Sequence, residues 1–351
     1  MGAIRRARSV VMPAAMGLSL ICAGNAALAK EYRIAVSNSY IGNEWRVEMI
    51  NFMQAYAAKN LKGKATLTVN NSGTDAQKQI AVISDMISDK VDAIMINPAS
   101  DTALNSVIEE ACKQGIVVVS FDQGVIAPCA YNIGVDCVKL GEIHAQWMAD
   151  TLGGKGSVVI NRGVSGFPAD KNLYQGTRNI LDKYPNIKIA AEVYGRWDNA
   201  VSQQELTKVL TAQPKVDGVL NQYGTYGALQ AFINLNHPFI PMSGQGENGW
   251  RIAMLADQDK GLKGVSAGDP SIIGAYALKV TYDILAGKAP AAKNISVNAP
   301  IVTTADLKAG VNVFPDLSPT LDADTDIPGA SLGLTIQDGM KKQSRDLEGR
   351  R

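Results

Sequence analysis

The sequence predicts an α/β protein of two lobes, each an open parallel sheet covered by helices. Three observations carry this. Strand and helix patterns alternate almost without interruption from residue 31 onward. The strands are short continuous apolar runs, as strands buried on both faces are. The series also runs to more strands than one core holds, so it divides in two. Repeated βαβ units of this kind build a parallel sheet with helices on both faces.

The elements follow in order. "YRIAV" is a strand, and residues 43–59 have helical spacing through Val47, Ile50, Met53/Gln54 and Ala57. "ATLTV" is a strand; residues 75–88 form a helix with Ile80, Ile83 and Ile87 on one side. "VDAIMI", a helix over 101–113 and the strand "GIVVVSF" complete the first series. The second takes strands from "SVVI" (157–160), "IKIAAEVY" (187–194), "VDGVL" (216–220), "HPFIPM" (237–242) and "KGVSAG" (263–268). Helices are predicted between them near 138–151, 170–184, 199–212, 225–235 and 249–257. "IIGAYALKVTYDILAG" reads as one more helix, stopped by Gly287 just past its end. Beyond about Gly333 the tail is polar without apolar period, and residues 336–351 are expected to be disordered.

The first 29 residues read as a cleavable signal peptide: Arg5, Arg6 and Arg8, then apolar and small residues from Val10 to Leu28, then "ALA" (27–29). A membrane anchor is the weaker reading, given Gly17, Gly24 and Asn25. Cys22 follows Ile21 where lipoprotein processing wants a small residue. The expected location is therefore the periplasm. Losing three bases with that segment takes the formal charge from +1 to −2, which leaves no electrostatic footprint for nucleic acid. Export to an oxidising compartment permits disulfides. Cys112, Cys129 and Cys137 remain, an odd count that leaves at least one thiol. Cys129 and Cys137, close in sequence, are the candidate pair. The cysteine spacings match no zinc site.

Parallel sheets present ligand groups at the carboxyl ends of their strands. Here those ends read "SNSYIGNEWR" (37–46), "NPASD" (97–101), "FDQG" (121–124), "NRGVSGF" (161–167), "GRWDN" (195–199), "NQYGTY" (221–226), "SGQGEN" (243–248) and "AGDP" (267–270). Nearly all carry Asn, Asp, Gln or Arg, and two carry Trp. Amides and carboxylates exchange hydrogen bonds with hydroxyls, and aromatic faces cover the C–H face of a sugar ring. Each Asn or Asp alone is more simply a turn or cap residue; their recurrence carries the argument.

"VDAIMINPASDTAL…ACKQGIVVVSFDQG" resembles the core signature of periplasmic sugar-binding proteins of the ribose-binding type, the solute receptors of ABC importers. "QKQIAVISDMI", "LGGKGSVVI" and "GDPSIIGAYAL" extend the resemblance over residues 31 to about 310. It implies the type I periplasmic binding protein fold: two Rossmann-like lobes joined by three hinge crossovers. The first lobe would be 31–135 plus 269–294, the second 136–268 plus 295–335. The lobes would close on a ligand and be recognised, as a monomer, by a permease with its ATPase. No cofactor or metal is implied.

Residue by residue, Asn43, Trp45 and Arg46 match the first-loop segment, where ribose binders carry Asn and two Phe; Arg46 departs from it. Asn97 and Asp122 match an Asn and an Asp of the signature. Gln123 replaces an Arg. Trp197 matches the facing aromatic, and Asn221 or Gln222 an Asn. Gln245 replaces an Asp. Gly268 replaces a hinge Gln, leaving Asp269 as the nearest polar group. Lys171 or Asn172 stands where an Arg is usual. These departures leave pentoses, furanose-type hexoses, polyols and sugar acids open, with Arg46 a bidentate partner for hydroxyls or a carboxylate.

The rival classes fare worse. Only two histidines are present, His144 on a helix and His237 before Pro238 in a turn, both read as structural or exposed; "GVSGF" is not a nucleophile elbow, and "LGGKGS" is not a phosphate loop. Asp122 with Asp269 could form a glycosidase pair, but sugar receptors use the same groups to bind. A repressor core would need a DNA-binding helix-turn-helix where the signal peptide stands. A receptor that presents its ligand to a sensor kinase or chemoreceptor has the same sequence features. The expectation is a receptor for a monosaccharide or polyol, not an enzyme.

Overall fold

The computed structural model describes residues 1–2, 30–212 and 215–340. The signal-peptide reading and residues 341–351 of the tail lie outside them. The described residues from Glu31 onward form one compact unit.

The first half runs β1 (Tyr32–Asn38), α1 (Glu44–Asn60), β2 (Ala65–Asn71), α2 (Ala76–Ser88), β3 (Ala93–Asn97), α3 (Asn105–Lys113), β4 (Val117–Phe121) and β5 (Tyr131–Val135). The second runs α4 (Cys137–Thr151), β6 (Lys155–Arg162), α5 (Pro168–Leu181), β7 (Asn186–Tyr194), α6 (Asn199–Ala212), β8 (Gly218–Asn221), α7 (Thr225–Asn234), β9 (Met242–Gly244), α8 (Asn248–Ala256) and β10 (Gly264–Ala267). Then come α9 (Ile273–Leu285), β11 (Asn294–Val297), β12 (Ile301–Thr303) and α10 (Ile336–Met340).

The strands form two six-stranded sheets, ordered β11-β5-β4-β3-β1-β2 and β12-β10-β9-β8-β6-β7. The pairings are parallel except β10 with β12. Apolar side chains go to both faces, as continuous apolar runs require. In the first sheet Ile34, Val36, Met95, Val119 and Phe121 pack on the α1 and α9 side. Ala35, Ile94, Ile96 and Val118 pack against α2 and α3. The second sheet repeats this with Val159 and Val219 on one face and Val158, Ile160 and Leu220 on the other.

The chain passes between sheets at β5–α4, β10–α9 and β11–β12, the three crossovers that the resemblance implies. Because Asn294–Val297 pairs in full with β5, residues 295–297 belong to the first sheet, not to the second lobe. "HPFIPM" is not a strand: β9 begins only at Met242, because Pro238 and Pro241 have no N–H to give a ladder.

The tail is the larger correction. Ile327 and Leu332 join the first lobe's core. Residues 336–340 form α10, which docks on α1: Asn51 Nδ2 donates to Gly339 O at 2.6 Å, and Lys59 pairs with Asp338 at 2.7 Å. The reason lies in α1, which buries Trp45, Met49, Ile50, Phe52, Met53 and Tyr56. The helix also buries Arg46, Glu48 and Asn51, so it needs cover on more than one side, and the tail supplies part of it.

A buried polar network holds this return segment near the β10–α9 crossover. Glu48 Oε1 accepts from Asp322 N at 3.0 Å, Asp322 Oδ2 accepts from Ser271 N at 2.7 Å, and Arg251 pairs with Asp324 at 2.6 Å. Burial, and then Asp324, push the Asp322 carboxyl up to about 8.

The disulfide joins Cys112 to Cys129, and Cys137 is free. This overturns the Cys129–Cys137 pairing. Cys112 and Cys129 pack on the core of one face of the first sheet, Cys137 on that of the other. A bond closing a loop of this length restricts the unfolded chain by about 3 kcal/mol. The double variant Cys112→Ala/Cys129→Ala should therefore unfold at clearly lower denaturant. A non-reducing peptide map should link residues 112 and 129; a peptide linking 129 and 137 would refute the assignment.

Candidate functional site

A cavity of about 50 Å³ lies between the lobes, lined by Asn43, Trp45, Arg46, Asp122, Cys137, Leu140, Ala169, Leu173, Trp197, Tyr223, Gln245 and Asp269. Seven of the thirteen expected ligand residues are therefore on its wall. The end of the loop after β1 and the first turn of α1 bring three of them. Asn43 caps α1, its Oδ1 accepting from Arg46 N at 3.0 Å. The first turn of that helix then aims Trp45 and Arg46 inward. Trp45 donates its indole N–H to Asp269 O at 2.7 Å, which ties α1 to the β10–α9 crossover.

Arg46 Nη2 pairs with Asp122 Oδ2 at 2.9 Å, while its other nitrogen, Nη1, is buried with no hydrogen-bond partner among the described residues. The same holds for the Tyr223 hydroxyl, and the buried Asp269 carboxyl has only the neighbouring Asp122 carboxylate to bond with. Burial, and after it the Asp122 charge, hold the Asp269 carboxyl well above the usual carboxylate range; the Arg46 charge pulls the other way. Asp122 has φ +62° and Trp197 has φ +56°. Left-handed backbone at non-glycine residues costs about 1–3 kcal/mol and gathers at functional sites. Trp197 rests on Gly163, where a Cβ would fall 2.1 Å from its ring.

The other six expected residues stand elsewhere. Asn97 lies one layer below, its Nδ2 holding Asp122 Oδ2 at 2.8 Å. Gln123 bridges the lobes, its Oε1 accepting from Ala169 N at 3.3 Å. Asn221 is committed to Asn161 and to Ser243 O, at 3.0 Å each. Gln222 is committed to Gly163 N and Asp170 O. Lys171 is exposed and pairs with Asp101 at 3.4 Å; Asn172 is exposed as well. Gln245 lines the cavity, but its amide is held by Gln222 O and Asp269 N.

Five lining residues escaped the sequence reading: Cys137, Leu140, Ala169, Leu173 and Tyr223. The first four come from α4 and α5, which cross closely enough that a Cβ on Gly141 or Gly176 would overlap backbone of the facing helix. Their spacings, i to i+3 on α4 and i to i+4 on α5, are those of one helix face. Tyr223 follows Gln222 in a strand-end segment already singled out.

The lobes touch directly across the cavity. Asn43 Nδ2 donates to Trp197 O at 3.1 Å, and the Tyr40 ring meets Trp197 edge-on. Leu140, Phe167, Leu173, Trp197 and Tyr223 belong to the same buried cluster as the first lobe's core. This is a closed cleft. His144 lies on α4 with Nε2 2.9 Å from Ala267 O; burial pushes it down to about 4, so it is neutral near pH 7. Among the described residues no cluster of His, Cys, Asp and Glu could hold a metal ion.

The profile of the periplasmic binding protein domain matches residues 34–289. Among curated proteins, a xylitol-binding protein of Mycolicibacterium smegmatis is 30% identical over 291 residues, covering 81% of this chain and 78% of that one. The ribose import binding protein RbsB of Bacillus subtilis is 27% identical over 300 residues, covering 81% and 95%. Among solved structures, an ABC transporter solute binding protein from Thermobispora bispora superposes with a TM-score of 0.69 at 34% identity, covering 78% of this chain and 85% of that chain.

Proposed function

We propose, from the premise that this chain belongs to the periplasmic binding protein family, that it is a periplasmic receptor for a neutral monosaccharide or polyol. It closes its lobes over one ligand molecule and delivers it, as a monomer, to the permease and ATPase of an ABC importer. It binds and does not turn over its ligand. Residues 1–29 would direct its export and then be removed. Relatives named for xylitol binding and for ribose import support the ligand class.

One observation carries the reading at the site. Arg46 Nη1 and Tyr223 OH, buried without partners among the described residues, and the buried Asp269 carboxyl, which has only the Asp122 carboxylate to bond with, belong to residues lining one cavity. A buried polar atom left unpaired costs about 1–3 kcal/mol. Hydroxyls both donate and accept, so one hydroxylated ligand satisfies donor and acceptors together. The charge balance favours a neutral ligand. Arg46 has already given Nη2 to Asp122, and Asp269 stands beside them. A sugar acid would bring a second carboxylate beside Asp122 against one guanidinium.

The test is thermal denaturation against pentoses, hexoses, polyols and sugar acids. A true ligand at 100 times its Kd adds about 2.7 kcal/mol and should raise Tm clearly. A panel with no stabilising compound, or one in which only sugar acids stabilise, would count against the proposal.

A further inference from the structure

We infer that the ligand is a deoxy sugar: hydroxylated where it meets Arg46, Asp122 and Asp269, and bearing a methyl carbon where it meets α4 and α5. This rests on the receptor reading above and narrows it. The walls of the cavity differ in chemistry. The first turn of α1, the loop after β4 and the β10–α9 crossover supply a guanidinium and two carboxyl groups. Helices α4 and α5 supply Cys137, Leu140, Ala169 and Leu173, with no hydroxyl, amide or charge among their side chains.

The apolar wall is built and not incidental. Each polar side chain at the start of α5 is turned elsewhere. Asp170 binds Arg162 at 2.7 Å and Gly163 N at 3.2 Å; Lys171 reaches Asp101; Asn172 is exposed. Even the Ala169 backbone N–H is taken by Gln123. The thiol of Cys137 adds no charge: burial, and then Asp122 and Asp269, push it well above its usual range. Leu140 and Leu173 are almost fully buried, and the close α4–α5 crossing fixes them. A hydroxyl placed against this wall would lose its water and gain no partner; a methyl group would lose nothing.

Calorimetry on the mature chain with matched sugars decides the matter: galactose against fucose, mannose against rhamnose, ribose against 5-deoxyribose. An apolar pocket rejects an added hydroxyl by roughly 100-fold at most. The deoxy member of the best-bound pair should therefore bind about 10–100 times more tightly. Leu173→Asn, placed on the wall, should shrink or reverse that ratio while its melting curve stays cooperative. Equal or tighter binding of the fully hydroxylated member in every pair that binds would overturn the inference and leave the receptor reading standing. If no sugar or polyol bound at all, the receptor reading itself would fail. As a second readout, saturating deoxy sugar should slow alkylation of Cys137 by N-ethylmaleimide at least 10-fold. Unchanged alkylation under saturation would place the ligand away from this wall and likewise refute the inference.

Discussion

Replacing Arg46 with methionine is expected to abolish measurable sugar binding and to destabilise the protein by about 3–5 kcal/mol, the usual consequence of removing one partner from a buried ion pair. Arg46 is only 4% exposed, and its guanidinium lies 2.9 Å from Asp122 Oδ2, with its carbon 5.2 Å from the centre of the Trp45 ring. It is also the charge that restrains Asp269 from rising further. Methionine would fill part of the volume and leave two neighbouring carboxyl groups without a cation. Denaturant unfolding measures the stability term and calorimetry the affinity. Arg46→Lys separates the two roles. It keeps a positive charge near Asp122 but lacks the fork that reaches Asp122 with one nitrogen and the cavity with the other. It should recover much of the stability and little of the affinity. Affinity near wild type in Arg46→Met would remove this residue from the site.

Much of this arrangement was legible in the sequence because it rests on local rules. Parallel strands announce themselves as short apolar runs, and their carboxyl ends then locate the loops. Asn43, Asp122, Trp197 and Asp269 lie in those segments, and the resemblance to ribose-type binding proteins singled them out there. The misses share a cause: they depend on contacts between elements distant in sequence. Asn97 and Asn221 sit at strand ends as expected, but one layer too deep, where they orient other groups. Lys171 and Asn172 lie on the correct helix, yet rotation about its axis turns them outward and brings Ala169 and Leu173 inward. A reading confined to strand ends could not see that α4 and α5 form a wall. The cysteine pairing failed because nearness along the chain was weighed where the face of the sheet decides. The tail reading failed over residues 336–340 because polarity outweighed the docking of this turn on α1 through Asp338 and Gly339.

The two tryptophans of the cleft should separate in experiment, although both are buried. Trp45 lines the cavity and is also anchored in the core. It packs within the α1 core and donates to Asp269 O from the cavity wall. Trp45→Ala should therefore cost about 3–5 kcal/mol of stability and also free the crossover carrying Asp269, so that affinity falls with it. Trp197 is buried by different neighbours: Gly163 and Phe167 from its own lobe, and Tyr40 and Asn43 across the cleft. Part of its burial exists only when the lobes are together. Trp197→Ala should accordingly lower the stability of the ligand-free protein less than Trp45→Ala. Its affinity should fall by about 2 kcal/mol or more, roughly 30-fold, as for a central aromatic anchor. Denaturant curves without ligand, set beside calorimetric affinities, give the comparison directly. The assignment of Trp197 to the closing surface would be wrong if its removal cost as much stability as that of Trp45 and left affinity intact. A loss of affinity in both, with stability lost mainly in Trp45→Ala, is what a residue shared by core and cleft requires when set against one that belongs to closure.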